Sequence, residues 1–219
     1  MKQTEYEIRK VKDQYARMWY LVEKQVVSSF ATVENFDRDA ARAIVMREKM
    51  VNAQELAIDD ACERFLALFA PVAVDLRFVI SMIKINNNLE RIGDFAEGLA
   101  KFCLNRQTQA LSQELKESLR WHELTDTTLK MMQMAHESFE TENSDKALSL
   151  MDLDAVVDEI YISSTGVLAD AIRANPKNAE EFMALLEVVR RIERMCDHFN
   201  NVAEDIVFYL DARELRHQS

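Results

Sequence analysis

The chain has 219 residues and a net charge of −11, with 30% charged and 48% hydrophobic residues. This composition is typical of a folded protein, and the acidic charge disfavours binding to nucleic acid phosphates or anionic lipid head groups. Its three glycines, Gly93, Gly98 and Gly166, cannot supply the glycine-rich loops of Rossmann or P-loop proteins. The sequence contains no run of about 18 apolar residues, so we expect no membrane-spanning helix.

The cysteines and the first residues bear on location. Cys62, Cys103 and Cys196 are odd in number, and no two of them form a C-x-x-C motif. The first residues show no apolar segment of the kind that secretory signal peptides carry. We therefore predict a cytoplasmic protein whose thiols are reduced and buried.

Six long amphipathic helices are predicted in chain order. They cover residues 3–34, 38–68, 73–104, 112–140, 145–173 and 178–213. Pro71 and Pro176 lie in two of the breaks because proline lacks an amide hydrogen, and the polar segment 142–145 supplies a helix N-cap. In the third and sixth helices, apolar residues recur at alternating intervals of three and four, which is typical of the seam of an antiparallel bundle.

The two halves of the chain repeat each other. Leu-Glu-Arg at 89–91 recurs as Ile-Glu-Arg at 192–194, an offset of 103 residues, and Pro71 and Pro176 are 105 residues apart. We therefore predict an all-α fold of two tandem three-helix bundles related by pseudo-two-fold repeat symmetry. The predicted bundles span residues 1–105 and 106–219.

Acidic side chains recur on one face of four predicted helices. In the third, fifth and sixth helices they are spaced i and i+4, so both members of a pair project from the same face. The stripes comprise Glu48, Asn52, Glu55 and Asp59 in the second helix, Glu90 and Asp94 in the third, Asp154 and Asp158 in the fifth, and Glu193 and Asp197 in the sixth. Facing carboxylates repel each other, and hard cations relieve the repulsion by accepting carboxylate oxygens. The spacing alone leaves a metal site and a solvated helix face as open alternatives.

The histidines argue against a di-iron carboxylate enzyme. That chemistry uses Glu-x-x-His motifs on two helices of a bundle. The histidines are His122, His136, His198 and His217, and only His217 has a glutamate, Glu214, at this spacing. No Ser-His-Asp or Cys-His set stands out, so we expect no enzyme and no catalytic residue. A carboxylate metalloenzyme and a structural helical-repeat scaffold without metal stay open as alternative functions.

Two strings carry a family resemblance. The segment Phe-Ala-Pro-Val-Ala-Val-Asp-Leu-Arg-Phe at 69–78, followed by Leu-Glu-Arg-Ile-Gly-Asp at 89–94, resembles the PhoU family of phosphate-signalling regulators. The string Arg-Ile-Glu-Arg-Met-Cys-Asp-His at 191–198 is similar to the second repeat of that family. The likeness extends from about residue 10 to residue 211, and it implies two three-helix bundles.

The resemblance also implies a function. Members of this family restrain phosphate uptake and the phosphate-starvation response, through contacts with the phosphate ABC transporter and a sensor histidine kinase at the cytoplasmic face of the membrane. They hold multinuclear clusters of transition-metal ions, so we expect iron or zinc first, with magnesium and manganese as alternatives. We also expect a homodimer, no binding to nucleic acid and no direct insertion into the membrane.

Metal ligands are carried over from the resemblance position by position. The implied ligands are Glu48, Glu90 and Asp94 in the first bundle, and Asp154, Asp158, Glu193 and Asp197 in the second. Asn52 departs from the family pattern, which prefers a carboxylate there, so we expect it to ligate through its amide oxygen and the first site to be weaker. Gly93 and Cys196 occupy equivalent positions, and we expect Cys196 to be a small seam residue.

Overall fold

The computed structural model describes residues 3–106 and 111–215, and within these ranges the chain forms helices and connecting turns without any β-strand. The elements are α1 (Gln3–Asn35), α2 (Arg38–Phe69), α3 (Ala73–Leu104), α4 (Gln113–Ser118), α5 (Trp121–Glu140), α6 (Ser144–Met151), α7 (Asp154–Ala174), a 3₁₀ turn (Pro176–Asn178) and α8 (Ala179–Asp211). The predicted all-α fold is therefore confirmed.

Side-chain capping and backbone geometry set the ends of α2. Asp37 is its N-cap, and Oδ1 of this residue accepts hydrogen bonds from the amides of Asp39 and Ala40, each at 3.0 Å. At the other end, Ala70 takes a left-handed conformation with φ of 41°, and Pro71 follows. A proline at this point cannot continue the helix, so the chain turns into α3.

The helices form two bundles. The first consists of α1, α2 and α3, and the second of α5, α8 and the consecutive helices α6 and α7. The seam residues predicted for the third and sixth helices, such as Met82, Leu89, Ile192 and Phe199, are buried. The buried residues of the two bundles belong to one continuous hydrophobic core.

Helices α3 and α8 join the bundles and run antiparallel. Phe78 near the start of α3 lies 5.3 Å, between ring centroids, from Tyr209 near the end of α8. Midway along the pair, Nδ1 of His198 lies 2.7 Å from Oδ1 of Asn88. Because α3 and α8 are equivalent elements of the repeat, this contact places the pseudo-two-fold axis between them.

Two of the six predicted helices are interrupted. The predicted helix 112–140 divides into α4 and α5 at Arg120, whose φ is 51°. The predicted helix 145–173 begins at Ser144 and divides into α6 and α7 at Asp152 and Leu153. At the interruption, the guanidinium of Arg120 hydrogen-bonds Glu159 of α7 at 2.8 Å and Glu123 of α5 at 2.7 Å.

Further predictions concern thiols, membrane spans and boundaries. Cys62, Cys103 and Cys196 are free and buried, as predicted. None of the helices within 3–106 and 111–215 is long and apolar enough to cross a membrane.

The boundary between the two bundles, at residues 105 and 106, stays a prediction. His217 lies outside the described residues, so the Glu214–His217 spacing has no structural counterpart here.

Candidate metal centres

The first candidate site lies where α2 packs against α3. Glu48 is only 4% exposed, and its carboxylate faces the backbone of Gly93, where a Cβ atom would lie 3.3 Å from Oε2. Nε2 of Gln25 donates a hydrogen bond to Oε2 of Glu48 at 2.9 Å. The other oxygen, Oε1, is buried and has no hydrogen-bond partner among the described residues. One acceptor in this site is therefore free for a ligand.

The neighbouring carboxylates repel one another. Burial raises the pKa of Glu48 to about 7, and the charges of Asp94, Glu97 and Glu90 add to the shift. Burial likewise raises the pKa of Glu90 to about 7, with further contributions from Asp94 and Glu55. Helix packing thus brings together carboxylates that the sequence places on two separate stripes.

Arg91 neutralises this cluster only in part. Its guanidinium lies 3.3 Å from Oδ2 of Asp94 and 3.7 Å from Oε2 of Glu90. The Arg91 side chain is 53% exposed, so water screens these ion pairs. Arg91 therefore leaves most of the negative charge of Glu48, Glu90 and Asp94 in place.

The α2 stripe extends beyond Glu48 towards the helix end. Burial raises the pKa of Glu55, and the charges of Asp59 and Asp94 raise it further. Nδ2 of Asn86 donates to Oδ1 of Asp59 at 2.8 Å and to the backbone oxygen of Glu55 at 2.9 Å. Asn52 itself is exposed on α2, between Glu48 and Glu55.

The second candidate site lies between α7 and α8. Burial raises the pKa of Asp154, Glu193 and Asp197, and Asp158 adds to the shift of all three. The amide of Asn200 hydrogen-bonds Asp154 and offsets part of its shift. The four acids predicted for this bundle therefore lie close enough to interact.

The two sites differ in how the helix presents its first acid. Asp154 is the first residue of α7, because α6 ends at Met151 and Asp152 and Leu153 form a turn between the two helices. The free amides and the dipole at a helix start favour a negative charge there. Glu48 lies in the middle of α2, so it lacks this support and depends on Gln25.

Sequence reasoning missed Glu97 and Asn200. At the offset of 103 these two residues are equivalent. Glu97 helps to raise the pKa of Glu48, and Asn200 hydrogen-bonds Asp154. Asn52 and Asp158 are equivalent at the offset of 106 that relates Glu48 to Asp154. Each bundle therefore has four carboxylates and one amide at five equivalent positions. Extending the repeat comparison by one helical turn would have found Glu97, which supplies a fourth carboxylate to the first bundle and pairs with Lys101.

These side chains suit an oxygen-ligated cation by their chemistry. They offer carboxylate and amide oxygens, which hard cations accept, and Oε1 of Glu48 is buried without a partner. Within the described ranges, no three His, Cys, Asp or Glu side chains converge closely enough to hold one ion. Binding would therefore require carboxylate rotations that draw the side chains of each cluster inward.

The histidines lie elsewhere. His198 contacts Asn88 in the interface between α3 and α8, where burial and the charges of Arg91 and Arg194 lower its pKa. His198 therefore belongs to the interface between the two bundles. Cys196, the counterpart of Gly93, is buried, and its sulfur lies 3.4 Å from Oγ1 of Thr128.

Comparison with known proteins identifies the family. A model of the PhoU domain matches residues 15–103 and 122–206, one copy in each bundle. The chain belongs to the PhoU family. It is 31% identical to the "Phosphate-specific transport system accessory protein PhoU" of Escherichia coli (strain K12), over 96% of this chain and 86% of that protein. A PhoU homologue from Thermotoga maritima is 26% identical, over 97% of this chain and 90% of its own length.

Solved PhoU structures share the fold. The crystal structure of PhoU from Pseudomonas aeruginosa superposes with a TM-score of 0.87 at 28% sequence identity, covering 96% of this chain and all of that one. The match to solved PhoU structures and the two domain copies confirm the tandem all-α architecture predicted from the repeat.

Proposed function

We propose that this PhoU chain is a cytoplasmic regulator of phosphate uptake that binds metal at two acidic clusters. The observation that carries the proposal is the recurrence of a carboxylate cluster, between equivalent helices, in both bundles of a PhoU fold. The names of its relatives support the link to phosphate, because they are called accessory proteins of the phosphate-specific transport system.

The first cluster would hold metal through Glu48, Glu90, Asp94 and Glu97, with Asn52 and Glu55 at its edge. The second would hold metal through Asp154, Asp158, Glu193 and Asp197. A bound cation would supply the positive charge that these carboxylates lack, and would hold α2 to α3 and α7 to α8. Iron or zinc is proposed first, with magnesium or manganese as alternatives, and more than one ion per cluster is expected.

Regulation would act through protein contacts rather than through catalysis. We expect the chain to bind the cytoplasmic side of the phosphate ABC transporter, and the sensor kinase of the same response. A protein of charge −11 needs a basic or mixed surface on its partner, and cytoplasmic loops of membrane proteins are rich in Lys and Arg. Because the attraction is electrostatic, the association should weaken as salt rises.

A deletion strain tests this function. Loss of the chain should leave phosphate-starvation genes expressed in phosphate-rich medium, and the wild-type chain should restore repression. The double variant Glu193→Ala/Asp197→Ala should fail to restore it. The matched control, Glu114→Ala/Glu117→Ala, removes two exposed acids of α4 and should repress normally.

Two results would contradict the proposal. One is a deletion strain that represses these genes normally and yields no transporter or kinase with the purified chain. The other is a Glu193→Ala/Asp197→Ala variant that restores repression as well as the control does. Glu193 and Asp197 would then have no role in regulation.

A further inference from the structure

A cleft of about 580 Å³ lies between the end of α3 and the first part of α8. We call it the α3–α8 cleft. Its lining combines apolar and charged side chains, and includes Gly98, Lys101, Phe102, Arg106, Met183 and Arg191. None of these residues belongs to the acidic clusters, so the cleft is separate from the candidate metal centres.

The guanidinium of Arg191 lies against the backbone of α3. A Cβ atom at Gly98 would overlap Nη1 of Arg191, so the glycine leaves the space that the guanidinium occupies. Arg191 is only partly exposed, and it forms no ion pair with any residue of 3–106 and 111–215. The cleft therefore contains a positioned cation without a carboxylate partner.

Arg106 lies nearer the start of α8 and is also held without a carboxylate. Its Nη1 donates a hydrogen bond to the backbone oxygen of Glu180 at 3.1 Å. Its guanidinium carbon lies 5.9 Å from the centroid of the Phe102 ring. In the part of the chain that the structure describes, no ion pair neutralises Arg106.

The other charged groups of the lining have partners or lie in solvent. Lys101 pairs with Glu97, and Glu187 lies 3.6 Å from Arg190, between Oε1 and Nη1. Glu180 is exposed. In a chain of net charge −11, this cleft thus offers two guanidiniums for an external anionic group.

The pseudo-two-fold axis relates the α3–α8 cleft to a second groove between the same two helices. The residues of α3 and α8 that line the second groove are Lys84, Glu204, Asp205 and Phe208. Their equivalents at the offset of 103 all line the α3–α8 cleft: Glu187, Lys101, Phe102 and Asn105. The cleft and the groove are therefore equivalent surfaces of the repeat.

The chain fills the second groove with its own backbone. After α8 ends at Asp211, Ala212 takes a left-handed conformation with φ of 56°, and the chain turns back so that Glu214 and Leu215 line the groove. Leu215 packs against the core, and only about 10 Å³ of the groove remains. The equivalent of Leu215 in the first bundle, Ser112, is the N-cap of α4 instead. Within 3–106 and 111–215, nothing takes the place of Leu215 in the cleft.

We propose that the α3–α8 cleft binds a short segment of another protein, which carries a large apolar side chain next to a carboxylate. Glu214 and Leu215 provide this pair of side chains, in adjacent positions, in the second groove. In the cleft, the apolar side chain would contact Phe102 and Met183, which is 64% exposed. The carboxylate would accept two parallel hydrogen bonds from the guanidinium of Arg191.

The size and lining of the cleft favour a peptide over a small inorganic anion. A small anion would fill little of the 580 Å³ and would leave the apolar side chains in contact with water. Only a few residues of a peptide fit such a volume, so we expect a dissociation constant in the micromolar range. The inference does not depend on the proposed function, because it uses neither metal nor a basic partner surface.

Selection of a displayed library of random octapeptides on the purified full chain tests the proposal. Enriched peptides should carry an acidic residue beside a large apolar one. Fluorescence anisotropy of a labelled enriched peptide should show binding that weakens as salt rises. Arg191→Gln should raise the dissociation constant of this peptide about tenfold, because a charge-assisted hydrogen bond is lost. Arg64→Gln is the matched control, since Arg64 is 66% exposed at the opposite end of the first bundle, and it should bind like the wild type.

Gly98→Ala tests the position of the guanidinium without changing any charge. The added Cβ should displace Nη1 of Arg191 and raise the dissociation constant of the peptide severalfold. Circular dichroism should show the same helix content in all variants. A library that yields no binding peptide would overturn the proposal, and so would peptides whose binding Arg191→Gln and Gly98→Ala leave unchanged. Enriched peptides without an acidic residue would overturn the carboxylate contact.

Discussion

Glu48 illustrates how a proposed metal ligand can oppose folding when no metal is bound. Its carboxylate is buried beside Gly93 and near other acids, so its pKa in the folded chain is about 7 instead of 4.5. The folded state then keeps a proton that the unfolded state has lost. Apo-protein stability should therefore fall as pH rises from about 4.5 to about 7.

Replacing Glu48 by Gln should have opposite effects with and without metal. At pH 8 the metal-free variant should be more stable than the wild type by up to about 3 kcal/mol, because Gln removes the penalty on the buried charge and each unit by which a pKa is raised corresponds to about 1.4 kcal/mol. Added metal should stabilise the wild type more than the variant, since a cation that binds only the folded state raises its stability. Thermal unfolding of both chains, with and without manganese or iron, measures this. Equal stabilisation of both by metal would exclude Glu48 as a ligand.

His136 joins α5 of the second bundle to α1 of the first. Its Nδ1 lies 2.6 Å from Oε1 of Glu23, its Nε2 lies 3.3 Å from Oε1 of Glu140, and its ring stacks on Trp19 at 4.8 Å between centroids. Burial lowers the pKa of His136, but the two carboxylates outweigh burial and the pKa is raised overall. The contact is therefore strongest when the imidazole is protonated.

Substituting His136 by Gln should destabilise the chain in a pH-dependent way. Protonated His136 stabilises the fold because its pKa is raised in the folded state. This contribution is complete below about pH 6.5, the ordinary pKa of histidine, and is lost as pH rises through the folded-state pKa. The difference in melting temperature between wild type and variant should therefore be larger at pH 6 than at pH 9. His122→Gln is the control, because the His122 side chain is 62% exposed and lies 3.7 Å from Glu34. A difference that is constant with pH would refute the charged contact.

At the level of single residues, spacing predicted most of the candidate ligands. Pairs at i and i+4 must share a helix face, so Glu90 with Asp94 and Glu193 with Asp197 could be identified without coordinates. Glu97 was missed because it lies one turn beyond the recurring pair and its counterpart, Asn200, is not acidic. The depth of Glu48 was also beyond prediction, since it depends on the glycine that faces it from α3.

Among the elements, long helices were predictable and their interruptions were not. No glycine or proline marks the break at Arg120, so local propensity favours one continuous helix. The break lies between two buried apolar residues, Leu119 and Trp121, so it accompanies packing into the core rather than a local signal in the sequence. The N-cap predicted within 142–145 was correct, because Oδ1 of Asn143 accepts a hydrogen bond from the amide of Lys146 at 2.9 Å.

The glycines of α3 and α7 should respond differently to alanine. A Cβ at Gly166 would meet no atom within 4 Å, so Gly166→Ala should stabilise the chain by about 0.5 to 1 kcal/mol through helix propensity. A Cβ at Gly93 would lie 3.1 Å from Cγ1 of Val51 and 3.3 Å from Oε2 of Glu48. Crowding there should cancel the gain. Chemical denaturation of both variants measures the difference, and equal stabilisation would contradict the close packing of α2 on α3.

At the scale of the whole molecule, the repeat predicted two equivalent bundles but not how they join. The seams of α3 and α8 look alike whether they pack inside a bundle or between bundles, because both need the same apolar spacing. In the structure, α3 and α8 each pack inside their own bundle and also against each other between the bundles. Their antiparallel contact at Asn88 and His198 places the two acidic clusters on either side of the pseudo-two-fold axis.

Anomalous diffraction from crystals grown with manganese, iron or zinc tests the central claim most directly. The account predicts peaks in two places, beside Glu48, Glu90 and Asp94 and beside Asp154, Glu193 and Asp197. In Glu193→Ala/Asp197→Ala, the second set of peaks should vanish and the first should remain. Crystals of the wild-type chain that show no peak at either cluster, at metal concentrations that saturate other carboxylate sites, would contradict the claim that these clusters bind metal.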